Sequence, residues 1–321
     1  MRVLITGAEG FAGSHLAEHC LALGDEVWAT CRNGAKVTNL APVIDQLTLR
    51  VGDLAQPQFL RSLFEEARFD VVFHLAAISF LPEAGGSPVQ AYEVNLLSGI
   101  RLLDHVRTLQ PHVRVVLASS AEVYGAVKPE LMPIVETLPF APANVFAAGK
   151  AALELAAAPY VSIYGLDLVL ARPFNHTGPR QRPDFVCSSF AEQVARAEAG
   201  LQSSISVGDL SARRDFSDVR DIVRGYRLLA QKGERGQAYN LASGHSVPVQ
   251  LVLDTLLQLA RVKNVEVKVD QARIRPTQVL DVRGSIEKIQ QRTGWKPEIG
   301  LEKTLRDSLN WYRDWIARER K

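Results

Sequence analysis

The sequence predicts an α/β fold built on a doubly wound parallel sheet, with a smaller α/β cap toward the carboxyl end. Three observations predict it: short, almost wholly apolar segments, helical spacing between them, and a change of pattern after about Gly178. Strands buried on both faces of a parallel sheet are apolar along their whole length. Strands that alternate with helices form right-handed crossovers, which place helices on both faces of such a sheet.

Six segments of the first half have the composition of buried strands. They are RVLIT (2–6), EVWAT (26–30), LTLRV (47–51), DVVFHLAA (70–77), RVVLASS (114–120) and DLVLARPF (167–174). Between them, residues 58–67 and 92–106 repeat apolar side chains at helical spacing. A helix over 147–164 is rich in Ala and Leu on more than one face, which suggests burial on two sides. A dimer interface is one way to supply the second side.

The second half has fewer and more scattered elements. They are a helix at about 185–200, a strand at 205–209, a helix at 218–231, a strand at 238–243 and two further helices. These pieces are too few for a second sheet of comparable size. We therefore expect a larger domain over residues 1–178, which also receives strand and helix segments from about 210–245, and a cap formed mainly by 179–321.

Composition excludes several classes of protein. The 321 residues are 47% hydrophobic and 22% charged, as in an ordinary globular protein with a core. A net charge of +2 gives no indication of a nucleic-acid or membrane surface. The three cysteines form no metal-type pair, and the N-terminus lacks a secretory apolar region. These features predict free thiols, no metal site and a cytoplasmic location.

A glycine-rich turn follows the first predicted strand and opens a helix. Gly7, Gly10 and Gly13 are spaced G-x-x-G-x-x-G, with Phe11 and Ala12 between the last two. Such glycines allow the backbone to approach a pyrophosphate, whose charge then meets the N–H groups of the helix start. In this context the pattern predicts a dinucleotide site in a Rossmann-type sheet, although a ligand-free tight turn would have the same spacing.

The end of the second strand predicts which dinucleotide is bound. An Asp or Glu there would favour free ribose hydroxyls, whereas Arg32 can face a 2′-phosphate. NADP is therefore favoured over NAD, which remains the alternative. Further along, we expect Asp53 and Leu54 near the adenine, and the HLAA segment to form a wall of the nucleotide site through Leu75, Ala76 and Ala77.

Several independent motifs occur in one order along the whole chain. They are TGAEGFAG (6–13), HLAA (74–77), EVNLLSG (93–99), SSAEVYG (119–125), Lys150, RPFNHTGP (172–179), RRDFSDVRD (213–221), YNLASG (239–244), RIRPTQ (273–278) and TGWKPEI (293–299). With these motifs the sequence resembles the extended short-chain dehydrogenase/reductase family, in its nucleotide-sugar branch. The resemblance implies that Asn95 and Pro173 also belong to the cofactor site.

Within that family the sequence is most similar to the members that act on GDP-sugars. The segments RPFNHTGPRQ (172–181), DFV (184–186), RRDFSDVRD (213–221) and GSIEKIQQRTGWKPEI (284–299) carry this closer likeness. It implies an NADP-dependent reductase of GDP-4-keto-6-deoxymannose. A GDP-mannose 4,6-dehydratase, a 4-epimerase and a non-catalytic binder of NADP and a nucleotide sugar remain alternatives.

Family members use a Ser or Thr hydroxyl, a Tyr and a Lys. The lysine depresses the pKa of the tyrosine and holds the nicotinamide ribose, and the tyrosine exchanges a proton with the sugar. In this sequence Ser120 and Lys150 match two of these positions, whereas Phe146 stands at the third. Glu122 matches the place where dehydratases keep a carboxylate, and related reductases can carry an acid there too.

The resemblance also implies a substrate site. Asn175 follows a strand end where its amide can hold sugar or phosphate oxygens, and Val186 lies in the matching DFV segment. Arg214 and Arg275 match arginines that bind the diphosphate, for which a guanidinium offers paired hydrogen bonds. Gln278 stands where relatives commonly have Glu, which bears on the contact with the nucleotide ribose and on guanine preference.

Phe146 leaves three explanations open. The chain is a Tyr→Phe variant that holds its ligands without turnover, or an enzyme in which Ser120 or Glu122 handles the proton, or a silent binder.

His15 and His19 on the first helix lack a Cys or carboxylate partner in the sequence pattern, and we expect them at the surface. We expect His176 to be a packed loop histidine rather than a base.

Overall fold

The predicted doubly wound parallel sheet is confirmed. The computed structural model describes residues 1–34, 37–274 and 281–320. Its strands are β1 Arg2–Thr6, β2 Glu26–Cys31, β3 Thr48–Val51, β4 Val71–His74, β5 Arg114–Ala118, β6 Leu168–Pro173, β7 Asn175–Thr177, β8 Ser204–Val207, β9 Arg213–Arg214, β10 Phe216–Asp218, β11 Ala238–Leu241, β12 Val247–Pro248 and β13 Glu266–Val269. Within the described ranges seven of them form one sheet, in the order β11-β6-β5-β4-β1-β2-β3.

All neighbouring strands of this sheet are parallel, as the predicted crossovers require. Val3 of β1 pairs with Val27 of β2 on one side and with Val71 of β4 on the other. The chain therefore leaves β1 in one direction for β2 and β3, and returns to the other side for β4. Ligands of such sheets bind at this reversal, beyond the carboxyl ends of the strands.

Helices cover both faces of the sheet. They are α1 Phe11–Ala22, α2 Pro57–Glu66, α3 Leu81–Gly86, α4 Pro88–Tyr92, α5 Ser98–Leu109, α6 Val145–Ser162, α7 Val186–Glu198, α8 Val219–Lys232, α9 Val249–Leu259, α10 Glu287–Thr293 and α11 Leu301–Glu319. On one face, α1 and α8 bury Leu16 and Ile222 in a core that also holds Trp295. On the other face, α2, α5 and α6 bury side chains such as Leu63 and Leu153.

The helix predicted over residues 92–106 is interrupted. A π-helical turn at Glu93–Leu97 separates α4 from α5 and places Asn95 in the interior, where it is 1% exposed. The apolar spacing gave no sign of this turn, because a π turn shifts the helix face by one residue without changing its composition. At the carboxyl end, the described residues contain α9, α10 and α11, where two helices were expected.

The cap has a core of its own. Helices α7, α9 and α11 pack around Phe190, Leu253 and Leu309. Strand β11 and helix α8 follow cap elements in the chain, yet β11 pairs with β6 and α8 packs against α1. The cap is thereby connected to the sheet by chain segments that run in both directions; the boundary at residue 178 stays a prediction. Every described helix is too short or too polar to span a bilayer.

The glycine turn brings three backbone segments into direct contact. Gly7 has φ +68°, and a Cβ atom on it would lie 2.8 Å from the Cα of Ala76, just beyond β4. A Cβ atom on Gly13 would lie 2.2 Å from the carbonyl oxygen of Gly7. Neither obstacle is a flexible side chain, so a substitution at these positions has to displace backbone.

We expect Gly13→Ala to push α1 away from the turn. Overpacking of this kind costs about 1–3 kcal/mol, so thermal unfolding should begin several degrees lower, and dinucleotide affinity should fall at least about tenfold. Gly85→Ala is the matched control, since a Cβ atom there meets nothing within 4 Å. Calorimetry and a dinucleotide titration measure the two effects. A Gly13→Ala protein that matches the control in both would contradict the close approach described for this turn.

Candidate active site

A cleft of about 1440 Å³ runs along the carboxyl edge of the sheet, between the sheet and the cap. Pockets for one small ligand are commonly about 300–1,000 Å³, so this cleft has room for a dinucleotide and a second ligand together. Its walls include the glycine turn, the ends of β2, β4, β5 and β6, and the cap residues that follow β7 and β8. The point where the chain reverses direction across the sheet therefore opens into this cleft.

One end of the cleft is formed by the glycine turn. Gly7, Gly10, Phe11, Ala12 and Gly13 all line it. Helix α1 starts here with no side-chain cap and no acidic residue in its first turn. Its first N–H groups therefore have no partner within the helix and present partial positive charge to the cleft. This is the arrangement that a pyrophosphate requires.

The residues predicted for the adenosine and the nucleotide wall lie next to this turn. Arg32, Asp53, Leu54, Leu75, Ala76, Ala77 and Pro173 line the cleft. The carboxylate of Asp53 accepts a hydrogen bond from the N–H of Ala55 at 2.9 Å, which fixes the loop after β3. Glu9, which the sequence analysis did not select, also lines the cleft and accepts a hydrogen bond from the N–H of Arg32 at 3.2 Å.

Lys150 lies in the middle of the cleft, on the second turn of α6. Its side chain is buried, and its Nζ donates a hydrogen bond to the carbonyl oxygen of Ala118 at 2.6 Å, at the end of β5. Burial lowers the pKa of this lysine to about 8, although the nearby Glu154 acts in the opposite direction. A buried ammonium group with one protein acceptor retains N–H groups for a ligand in the cleft.

Phe146 lies one helical turn before Lys150 and also lines the cleft. Its ring is 8% exposed and packs with the apolar side chains of Ala84 and Ala91. Helix α6 starts at the next residue back, because Asn144 caps it by accepting the N–H of Ala147 at 2.8 Å. The aromatic ring is therefore held against the lysine side of the cleft, and it carries no group that can transfer a proton.

Three oxygen-bearing residues lie across from α6. Ser120 accepts the N–H of Glu122 at 3.1 Å and so caps the short turn that follows β5. Glu122 is exposed, and its carboxylate accepts a hydrogen bond from the side chain of Asn144 at 3.2 Å. The hydroxyl of Ser119 is buried in the cleft wall without a partner among the described residues.

Asn95 contacts the backbone beside the cleft. Its Oδ1 accepts the N–H of Ile78 at 2.7 Å, and its Nδ2 donates to the Ile78 carbonyl oxygen at 3.0 Å. Since both polar atoms are used, Asn95 holds the segment after β4 in place, while its neighbours Val94 and Ser98 line the cleft. The π-helical turn is what brings this side chain to Ile78.

The predicted substrate residues lie at the cap end. Asn175, Val186 and Arg214 line the cleft, whereas Arg275 and Gln278 fall outside the described residues. Burial lowers the pKa of Arg214, whereas the negative charges of Glu122 and two aspartates act to raise it. Its guanidinium donates to the carbonyl oxygen of Arg213 at 2.7 Å.

Two further residues of the cap end were not selected from the sequence. Asp215 is 1% exposed and accepts the backbone N–H groups of Ser243, Gly244 and Gly284 at 2.6–3.1 Å. It thereby fixes the chain next to Arg214. Arg273 lines the cleft and donates to the hydroxyl of Ser189 at 3.3 Å. The motif RRDF contains Asp215, so its position beside a predicted ligand-binding arginine was a usable signal.

The histidines differ in part from expectation. His15 is buried rather than at the surface, because it bonds the Pro179 carbonyl oxygen at 2.9 Å, and burial lowers its pKa to about 4. His176 packs as expected, with its ring stacked on Phe11. In the described part of the chain, no group of three or more His, Cys, Asp or Glu residues is placed to hold a metal ion.

Comparison with known proteins now identifies the family. Residues 4–308 match the family model described as GDP-mannose 4,6 dehydratase. The chain belongs to this family. Among its relatives, a GDP-6-deoxy-D-mannose reductase from Pseudomonas aeruginosa is 36% identical over 320 residues, which cover 99% of this chain and 98% of the relative. GDP-mannose 4,6 dehydratase 1 from Arabidopsis thaliana is 29% identical over 320 residues. The match covers 94% of this chain and 87% of that relative.

A solved structure of the family branch has the same architecture. The structure of RMD from Pseudomonas aeruginosa complexed with NADPH superposes with a TM-score of 0.86 at 33% identity. The match covers 98% of this chain and 99% of that one. The family resemblance and the predicted fold class are therefore confirmed, by a match that covers 98% of the chain.

Because Lys150 is buried, we expect the free energy of unfolding to depend on pH in the alkaline range. Unfolded, Lys150 keeps its proton up to its ordinary pKa of 10.5, whereas the folded chain releases it above about 8. Between these values the unfolded state binds more protons, so the free energy of unfolding rises with pH, by at most about 1.4 kcal/mol per pH unit from this group. Lys150→Met should remove that rise.

Urea unfolding at pH 8, 9 and 10 measures this effect in both proteins. We expect the chain to gain stability relative to Lys150→Met as the pH increases. The difference between the two proteins cancels the titration of other groups, such as buried tyrosines. A constant difference across the three pH values would show that Lys150 has an ordinary pKa in the folded state.

Proposed function

We propose that this chain is an NADP-dependent oxidoreductase of nucleotide sugars, which reduces GDP-4-keto-6-deoxymannose at C4 to a GDP-6-deoxyhexose of the GDP-rhamnose type. The observation that carries the proposal is the end-to-end match, at 36% identity, with a GDP-6-deoxy-D-mannose reductase. The complex of RMD with NADPH, at 33% identity, supports the cofactor. A cleft large enough for both ligands supports the pairing of a dinucleotide with a sugar nucleotide.

The residues of the cleft fit the cofactor. The start of α1 would hold the pyrophosphate, the end of β2 the adenosine ribose, and Lys150 the nicotinamide ribose. Glycines at positions 7 and 13 permit the close backbone approach that forms this turn, since a Cβ atom on either would meet backbone atoms. When bound, NADPH supplies the hydride that reduces the C4 carbonyl.

The substrate would lie toward the cap. Arg214 would bind the diphosphate, and Asn175 and Val186 would contact the sugar and nucleoside; the support is that all three line the cleft. Arg275 and Gln278, which lie outside the described residues, are proposed for the remaining diphosphate and ribose contacts. Since Arg273 lines the same region, a second guanidinium is available to a ligand with two negative phosphates.

Reduction of the carbonyl also requires a proton at the C4 oxygen. Phe146, at the position assigned to tyrosine by resemblance, has none to give. Ser120 can still donate, because its oxygen accepts from Glu122 while its hydroxyl hydrogen remains available. Glu122 is exposed, and its carboxylate already accepts a hydrogen bond from the side chain of Asn144. Among the two substitutes considered from the sequence, the geometry therefore favours Ser120.

A GDP-mannose 4,6-dehydratase is the second candidate. The family model carries that name, and Glu122 occupies the position of the dehydratase carboxylate. The higher identity to the reductase, 36% against 29%, favours the first proposal.

We also propose a cytoplasmic homodimer. Leu155, Ile163 and Tyr164, on or just after α6, are 64%, 73% and 52% exposed, which supports an apolar partner surface there.

Restoring the phenol tests whether the chain is a disabled enzyme. We expect Phe146→Tyr to increase NADPH oxidation with GDP-4-keto-6-deoxymannose by about 100- to 10,000-fold, the usual contribution of a general acid. The rate is followed by the loss of reduced nicotinamide absorbance, with Phe140→Tyr as a matched control on an aromatic residue outside the cleft wall. If Phe146→Tyr is no faster than the unchanged chain, the disabled-enzyme explanation is wrong and the silent binder is favoured.

A second assay separates reductase from dehydratase. The Phe146→Tyr protein is incubated with GDP-mannose, a catalytic amount of NADP and no reductant, and products are resolved by chromatography. We expect GDP-mannose to remain unchanged, because a reductase consumes a hydride that it does not regenerate. Accumulation of a 4-keto-6-deoxy product would identify a dehydratase, which returns the hydride within one catalytic cycle.

A further inference from the structure

The glycine turn carries an acidic side chain that the mechanism above does not use. Glu9 lies between Gly7 and Gly10, and its Oε1 accepts the backbone N–H of Arg32 at 3.2 Å. Its Oε2 is buried and has no hydrogen-bond partner among the described residues. Burial of a carboxylate oxygen that receives no hydrogen bond lowers the stability of the folded protein. Such an oxygen is suited to a ligand group that donates a hydrogen bond.

The position of this carboxylate is the adenosine end of the cleft. Glu9 and Arg32 both line the cleft, beside Asn39 and Asp53. Asn39 donates its side-chain N–H to the Glu9 carbonyl oxygen at 3.1 Å, which fixes the backbone of the turn. Burial raises the pKa of Cys31, the last residue of β2, and the negative charge of Glu9 acts in the same direction. The carboxylate is therefore held at the end of the second strand.

In Rossmann-type sites an acid at the end of the second strand binds the ribose hydroxyls of NAD, whereas an arginine there donates hydrogen bonds to the 2′-phosphate of NADP. This chain has the arginine on the strand end and supplies the acid from the neighbouring turn. The two cofactors differ at this atom by about two negative charges and by a donor hydroxyl. One site thus presents a group that suits each of them.

We propose that Glu9 is a cofactor-selectivity residue, which accepts a hydrogen bond from the ribose 2′-hydroxyl of NADH and opposes the 2′-phosphate that Arg32 attracts. The proposal rests on the proposed function, since it assumes that a nicotinamide dinucleotide occupies the cleft. It follows that Glu9 reduces the preference for NADPH that Arg32 alone would give. The sequence prediction based on Arg32 alone gave NADP the advantage without this opposing charge.

Glu9→Gln is the direct test. Glutamine keeps the acceptor for the Arg32 N–H and the size of the side chain, so the turn should fold unchanged, while the negative charge is lost. Binding of NADPH and of NADH is measured separately by the fluorescence of the reduced nicotinamide. We expect NADPH to bind about 5- to 30-fold more tightly and NADH unchanged or up to about fivefold more weakly. Raising the salt to 0.5 M should reduce the NADPH gain, because exposed charges are screened.

Two further variants control the result. Arg32→Gln should change the ratio of the two affinities in the opposite direction, by a loss of NADPH binding. Glu83→Gln removes the same charge from another wall of the cleft and should leave the ratio within about twofold. 2′,5′-ADP and 5′-AMP used as competitors should repeat the Glu9→Gln effect without the nicotinamide, which assigns it to the adenosine end.

The outcomes distinguish this proposal from the proposed function. If both cofactors bind and Glu9→Gln leaves the affinity ratio within twofold, Glu9 has no role in selectivity and the proposal is wrong. If the unchanged chain already prefers NADPH by 100-fold or more, the opposing charge is ineffective and the proposal is wrong. If neither dinucleotide binds saturably, the proposed function itself fails and this inference fails with it.

Discussion

The structure depends on the close approach of three backbone segments at the amino end of the sheet. The turn after β1, the first turn of α1 and the chain leaving β4 come so near that a Cβ atom on Gly13 would lie 2.2 Å from the Gly7 carbonyl oxygen. This approach aligns the start of α1 with the end of β1 and opens the cleft at the switch point. It also determines where Glu9 lies, because a side chain in so tight a turn has few directions available. The proposed phosphate site and the proposed selectivity residue thus depend on the same backbone geometry.

A buried charge network gives the other half of the cleft its rigidity. Arg172, near the end of β6, pairs with Glu154 of α6 at 2.7 Å and donates to the hydroxyl of Tyr124 at 2.8 Å. Tyr124 in turn donates to Asn240 of β11 at 2.8 Å. Both members of the ion pair are almost fully buried, so loss of either partner would leave an uncompensated charge. The network fixes α6 to two strands, and α6 carries Lys150 to the Ala118 carbonyl oxygen.

The fold was largely predictable because its signals are local. Apolar runs such as RVLIT and the glycine spacing each reflect one strand or one turn, and the alternation of strands with helices predicts parallel strands joined by right-handed crossovers. The lining of the cleft was predictable only where a motif contains a residue that lines it, as for Lys150 and Arg214. Glu9, His15 and Arg273 depend on contacts between distant segments. Asn95 required a π-helical turn, which leaves no mark on apolar periodicity. These residues could not be placed from spacing alone.

Lys150 bears on the meaning of Phe146. Burial shifts the pKa of this lysine from 10.5 to about 8, which corresponds to a cost of about 3 kcal/mol for keeping it charged at neutral pH. An apolar side chain at position 150 would occupy the same space without that cost. Phe146, one turn earlier on α6, is buried and apolar in this way. A protein that had only to fold would gain from replacing the lysine. The ligand contact proposed for Lys150 would explain why the ammonium group is retained. On that proposal, the absence of a phenol at position 146 would affect proton transfer and leave the proposed binding site in place.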